Sequence, residues 1–251
     1  MATENRALDV DVYWSMRSPY CYIALDRCLE MPKRYNVNLN LKVVYPDAIK
    51  NPTIFEASAM LKYRLPYQDI DSFRSAFFHG VPMRYPDPDP VIQHATKDSI
   101  YGEIAPFEEQ KIAHVLIRTA VAAAEMGKGW EYLNEVMRLV WNGQKRPWTG
   151  DNYEHLRRAI NAAGIDADKL FKDVEANGEK YDALANKHSE EQIQNDSRHE
   201  GVPNFVFRNE PFFGQDRMEM LIWRLKQYGL TERADYEPSL RAKDIVHFGS
   251  D

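Results

Sequence analysis

Strand-like alternation is confined to the two ends of this 251-residue chain, and the long stretch between them carries helical periodicity instead. That distribution limits the fold more than any single motif does. Near the start, Leu8-Asp9-Val10-Asp11-Val12-Tyr13-Trp14 alternates apolar and polar residues and then turns almost wholly apolar, as a strand entering a core does. In the following Ser15-Met16-Arg17-Ser18-Pro19, Ser18 suits an N-cap and Pro19 has the preset φ favoured at the first helical position. A helix is expected to begin at Ser18. Its apolar residues recur at Ile23, Leu25, Cys28 and Leu29, and Pro32 is expected to mark where it stops. Asn38 to Tyr45 alternates with period two and ends at Pro46, giving a second strand. Strand, helix and strand in so short a span form a βαβ unit, parallel and right-handed.

From about Phe55 to Ser197 the helical period dominates. Ile112, Val115, Leu116, Thr119, Ala120 and Ala123 fall on one helix face, and Leu133, Val136, Met137, Val140 and Trp141 repeat the pattern. Asp151 suits the cap of a further helix bearing Leu156, Ala159, Ile160 and Ala163, with Gly164 placed to end it. Prolines at 66, 82, 86, 88 and 90 predict an extended, partly rigid loop between Tyr63 and Pro90 rather than a continuous helix.

After Gly201 strand patterning returns. Asn204–Phe207 and Pro211–Phe213 flank Arg208-Asn209-Glu210, a connection suited to a hairpin, and a helix follows from Gln215 with Met218, Leu221, Ile222 and Leu225 on one face. Gly229 is its expected stop, and the polar residues from Thr231 to Asp251 are assigned no structure. The resulting order, β-α-β, helical insertion, β-β-α, is an α/β class and matches the thioredoxin topology with its middle helix replaced by a subdomain. Residues 8–54 and 198–229 then form a discontinuous thioredoxin-like domain, 55–197 an all-helical insertion, and 230–251 a C-terminal tail.

Several function classes are disfavoured. With 32 Lys+Arg against 38 Asp+Glu the net charge is −6, so no bulk positive field attracts nucleic acid. No stretch approaches the roughly 18 consecutive apolar residues of a membrane span, and Met1 to Val10 lacks an apolar h-region, so no membrane partner and a cytoplasmic location are expected. Cys21 and Cys28 share the first helix, where a rise of about 1.5 Å per residue separates them by about 10 Å, too far for a disulfide. The seven histidines show no metal-ligand spacing, and no glycine-rich phosphate loop follows a strand, so neither a metal nor a nucleotide cofactor is expected.

Three junctions remain as candidates. In Ser18-Pro19-Tyr20-Cys21, a strand hands over to a helix whose unpaired N–H groups and dipole favour a thiolate in the first turn. Ser18 as a plain cap, and Cys21 as a small buried hydrophobe, are the competing readings. In Gly201-Val202-Pro203-Asn204-Phe205 a proline opens a strand, either as a cis peptide or as an ordinary trans one. In Phe213-Gly214-Gln215-Asp216-Arg217 a helix start offers N–H groups to a carboxylate while Asp216 offers a partner to an amine, the needs of an amino-acid-like ligand. Asp216 as a simple first-turn acid reads equally well.

These three motifs, in this order, resemble the DsbA-like thioredoxin superfamily, and within it the branch of 2-hydroxychromene-2-carboxylate isomerases and kappa-class glutathione transferases. Val10 to Ala24 resembles that branch's strand followed by S-P-[YF]-x-Y-x-A, Gly201–Phe207 its G-V-P-x-F strand, and Phe213–Arg217 its [FW]-G-x-D-R helix start. The resemblance implies a homodimer that binds glutathione as cosubstrate and isomerises or conjugates a small electrophilic or aromatic substrate. Ser18 would hydrogen-bond the glutathione sulfur, Val202 beside a cis Pro203 would pair with the cysteinyl backbone, and Gln215, Asp216 and Arg217 would bind the γ-glutamyl end. Asn51 and Lys62 would match polar ligands of the second loop. Cys21 departs from the isomerase pattern: Ser18-x-x-Cys21 keeps the second cysteine of a redox C-x-x-C and loses the first. A DsbA-like thiol-disulfide oxidoreductase acting through Cys21, and a non-enzymatic peptide-binding module, are the alternatives. Arg17 is a candidate for holding an anionic substrate, and Tyr63, Tyr67, Phe107, Trp141 and Trp148 for lining its pocket.

Overall fold

The structure, a computed structural model, describes residues 6–51, 59–94, 103–141, 148, 153–194 and 199–238. The chain opens with β1 (Leu8–Trp14), α1 (Pro19–Arg34) and β2 (Val37–Val43). β1 and β2 are parallel, with Leu8 opposite Val37 and Trp14 opposite Val43. Ser18 caps α1 and Pro19 occupies its first turn, but Pro32 does not end the helix. A proline forfeits its own N–H bond and crowds the carbonyl one turn back, yet α1 closes beyond it with Tyr35 N–H donating to Met31 O at 2.9 Å.

After the short α2 (Asp47–Lys50), α3 (Ala59–Phe78) runs through Pro66, so the extended loop begins only at Val81. One forfeited hydrogen bond is too little to break a 20-residue helix. The insertion is also not wholly helical, because β3 (Gln93–His94) and β4 (Glu103–Ile104) form a two-residue antiparallel ladder. The buried Gln110 side chain staples its flanks: Oε1 accepts from Ile92 N–H at 2.8 Å and Nε2 donates to Ala105 O at 2.8 Å. A side-chain amide imitating a strand edge leaves no period-two pattern to read.

The helices α4 (Lys111–Glu125), α5 (Gly129–Trp141), α6 (Glu154–Ala162), α7 (Ala167–Ala176) and α8 (Gly178–Gln192) follow. The expected apolar faces are the buried ones, including Leu116, Leu133, Val136 and Ile160. Each such side chain stabilises by about 1.5–3 kcal/mol on full burial, which holds helices whose own propensity is modest. Gly164 ends α6 at φ 76°, while Asp151, its expected cap, lies outside the described residues. The insertion is keyed to the first helix: Trp141 Nε1 donates to Met16 O at 2.9 Å, and the Trp141 and Tyr22 rings stack at 6.0 Å.

The hairpin of β5 (Asn204–Phe207) and β6 (Glu210–Phe213) completes the sheet, followed by α9 (Met218–Lys226). Its turn has two residues rather than three. Arg208 and Asn209 both take positive φ, and Glu210 pairs with Phe207 as the first residue of β6. β5 lies antiparallel to β1, with Val12 opposite Phe205, so the sheet order is β2-β1-β5-β6. The polar C-terminal segment also has structure as far as it is described. Asn36 N–H donates to Thr231 O, Thr231 N–H to Asn36 Oδ1, and Arg233 N–H to Arg34 O, which satisfies backbone groups between α1 and β2. No described helix is long and apolar enough to cross a membrane.

Candidate active site

The carboxyl ends of β1 and β2 open into a cleft of about 990 Å³. All three sequence junctions line it, through Ser18, Val202, Gln215, Asp216 and Arg217. Ser18, extended at φ −84° and ψ 121°, caps α1 by accepting from Cys21 N–H at 3.3 Å. Its hydroxyl proton is turned towards Val202 O at 3.4 Å. The hydroxyl therefore sits where the positive end of α1 meets the strand-opening segment, and a sulfur anion placed there would receive both a hydrogen bond and the dipole.

The Val202–Pro203 peptide is cis. Pro203 is buried behind the cleft wall, and its carbonyl accepts from Gly214 N–H at 2.9 Å, which joins the second motif to the third. Gly201 cannot carry a side chain, since a Cβ would lie 2.3 Å from the Phe213 ring and 2.5 Å from His199. His199 stacks on Phe213 with centroids 3.8 Å apart and accepts Gly201 N–H at Nδ1, while Gln192 Nε2 donates to Gly201 O at 2.8 Å. Gly214 makes its turn at φ 109°, a conformation open to glycine.

Cys21 is not in the cleft. Its side chain is fully buried in the core and burial pushes its thiol up to about 12, despite hydrogen bonds with Ser15 and Ser18 that act the other way. Desolvation thus outweighs the helix dipole one turn into α1. Cys28 is likewise free, buried and shifted upward by burial.

Arg17 does line the cleft, but its guanidinium is engaged two-fold by Asp89, at 2.8 Å from Nε and 2.7 Å from Nη2. Asn51 is exposed at the end of α2, away from the cleft lining, with its N–H donating to Asp47 O. Lys62 falls within α3, and its side chain lies outside the described residues, as does that of Tyr63. Of the expected aromatic lining, Tyr67 is present. Trp141 and Trp148 are buried in the core, and Phe107 packs on Tyr45 at 5.2 Å.

Other lining residues were not singled out from the sequence. Tyr45 donates to Asp182 Oδ1 at 2.6 Å, and Arg118 holds the same carboxylate two-fold. Tyr20 donates to Asp71 Oδ2 at 2.7 Å, and burial followed by that bond raises its pKa. Tyr45 had a signal, since it lies just past the end of a strand, where sheet-based sites gather. Asp71 and His199 had none, because helix α3 and the segment before β5 present these side chains to the cleft only through tertiary packing.

Comparison with known proteins agrees with this architecture. Residues 9–226 match the family described as the DSBA-like thioredoxin domain. A 2-hydroxychromene-2-carboxylate isomerase of Pseudomonas putida is 24% identical over 215 residues, covering 84% of this chain and 91% of that protein. Among solved structures, one of a 2-hydroxychromene-2-carboxylate isomerase superposes with a TM-score of 0.58 at 20% identity, covering 88% of this chain and 96% of that one. A probable DsbA oxidoreductase from Streptomyces coelicolor superposes with a TM-score of 0.57 at 18% identity, covering 92% and 93% respectively. At these identities the two structures establish the shared fold.

Proposed function

We propose that the chain, which belongs to the DSBA-like thioredoxin domain family, is a glutathione-dependent isomerase or transferase of the 2-hydroxychromene-2-carboxylate isomerase type, acting on a small electrophilic or aromatic substrate. The observation that carries this reading is the division of labour between Ser18 and Cys21. The residue in the cleft at the head of α1 is a hydroxyl, and the residue that could have served a dithiol cycle is a sealed thiol.

Glutathione, when bound, supplies the thiolate that adds reversibly to an unsaturated substrate and leaves again. The chain's own residues fit that ligand. Ser18 Oγ and the first N–H groups of α1 would hold the sulfur anionic. The backbone of Val202 would pair with the cysteinyl unit, and the start of the helical turn at Gln215 would take the γ-glutamyl carboxylate while Asp216 takes its ammonium. The distant isomerase relative supports this reading over the alternatives. A DsbA-like oxidoreductase would need an accessible thiol pair, and a peptide-binding module would not need the polar Gln215-Asp216-Arg217 end.

Isothermal titration with glutathione at millimolar concentration tests the reading, with saturable one-site binding expected. An absence of heat together with insulin reduction that is lost in Cys21→Ser would move the assignment to the oxidoreductase.

A further inference from the structure

Arg27, on the third turn of α1, is partly buried, and Glu219 and Asp216 favour its charge through space without a direct ion pair to it among the described residues. Its hydrogen bonds go to one residue. Nη1 donates to Gln215 O at 3.0 Å and Nη2 donates to Gln215 Oε1, while Nε is buried without a partner. A desolvated guanidinium with no direct carboxylate contact is costly to fold around, so its retention calls for a compensating role. Gln215 is itself buried at 7% exposure and lines the cleft.

The chemistry of this contact has one direction. A guanidinium only donates, so it takes up both acceptors of Gln215, the backbone carbonyl and the side-chain oxygen, and thereby fixes the amide with its oxygen towards Arg27. What Gln215 retains for other partners is its donors, the backbone N–H at the start of the helical turn and the Nε2 amide. His79 also hydrogen-bonds the Gln215 side chain, but burial, then the Arg27 charge, pulls it down to about 4, so it is neutral at physiological pH and adds no charge. Arg217, the nearest other cation in sequence, is paired with Asp216 at 2.8 Å.

We propose that Arg27 is a positioning residue that turns Gln215 into a donor-only anchor and sets a positive field behind it, so that this end of the cleft takes a carboxylate, the α-carboxylate of a γ-glutamyl group. This rests on the glutathione reading above and adds a residue of α1 to it. One helix then serves both ends of the ligand, with Ser18 at its first turn for sulfur and Arg27 further along for the carboxylate. The ligand's anion would add to the more distant counter-charge of Glu219 and Asp216.

The test is isothermal titration of the full chain and of Arg27→Met and Arg27→Lys with two probes, glutathione and cysteinylglycine, which lacks the γ-glutamyl group. Expected is a tenfold or greater loss of glutathione affinity in Arg27→Met, a smaller loss in Arg27→Lys, and equal cysteinylglycine affinity in all three. The same split should appear in turnover, with KM for glutathione raised and kcat at saturation unchanged. Wild-type binding of glutathione with no change in either variant overturns the role of Arg27 and leaves the glutathione reading standing. Equal losses for both probes also overturn it, because they mark general damage to the cleft. A wild-type chain that binds neither probe overturns both readings. Should Arg27→Met not fold, the Arg27→Lys comparison decides by the same criteria.

Discussion

Ser18 Oγ and the carbonyl oxygen of Val202 lie 3.4 Å apart although 184 positions separate the two residues in the chain. The contact joins the head of α1 to the segment entering β5, and it places the Ser18 hydroxyl under two influences, the cap of a helix and the edge of a strand.

Ser18→Ala should therefore have two separable effects. Loss of the cap costs about 1 kcal/mol of stability, visible as a lower midpoint in urea. If glutathione binds as proposed, loss of the hydroxyl should raise the pKa of its bound thiol, so the thiolate absorbance near neutral pH should fall several-fold while affinity falls less. Unchanged thiolate absorbance in the variant would exclude Ser18 from stabilising sulfur.

Cys21, sealed in the core with its thiol pushed up to about 12, should not react with a thiol reagent in the native chain. Ellman's reagent is expected to count no fast thiol before unfolding and two after it. Cys21→Ser puts a more polar group into a fully buried site and should destabilise by about 1–3 kcal/mol, with turnover at 25 °C retained. A fast thiol that disappears in Cys21→Ser would restore the redox reading.

The pair Arg17–Asp89 makes a further prediction. With its guanidinium engaged on Nε and Nη2, Arg17 has little charge to offer a ligand. Asp89→Asn removes that counter-charge, and competitive inhibition by an aromatic carboxylate such as benzoate should strengthen several-fold. Arg17→Met should abolish the gain in the double variant, and a persistent gain would show that the effect bypasses Arg17.

His79 sets a pH dependence. Its folded pKa, about 4, is below the ordinary value near 6.5, so the unfolded chain binds more protons between these limits. Stability should be fully present above about pH 6.5 and decline as pH falls towards about 4. His79→Gln should flatten the decline of the melting temperature over that window. Identical slopes would show that other groups control it.

The ends of the chain were more legible in the sequence than its middle. β1, the Ser18 cap, the β5–β6 hairpin and the positive-φ Gly229 in the turn after α9 follow from local patterns, because alternation, capping and turn chemistry act within a few residues. Pro32 and Pro66 misled, since both stand inside helices that continue past them. The docking of Thr231 and Arg233 on the loop after α1 had no local signature: their partners are backbone groups far away in the chain. At the site, Ser18 and the Gln215–Arg217 turn were legible as junctions. Arg27 was not, because its importance lies in a contact with Gln215, 188 positions away in the chain.

The order β2-β1-β5-β6 has a consequence for assembly in time. β1 can pair with β2 as soon as the first βαβ unit is made, but its other edge must wait until the whole helical insertion has been synthesised. Closing so long a loop is entropically slow relative to local pairing. During that interval Ser18 exists as a capped helix start facing no Val202, and the cleft has a single wall. The second wall of the cleft is thus among the last features the nascent chain acquires.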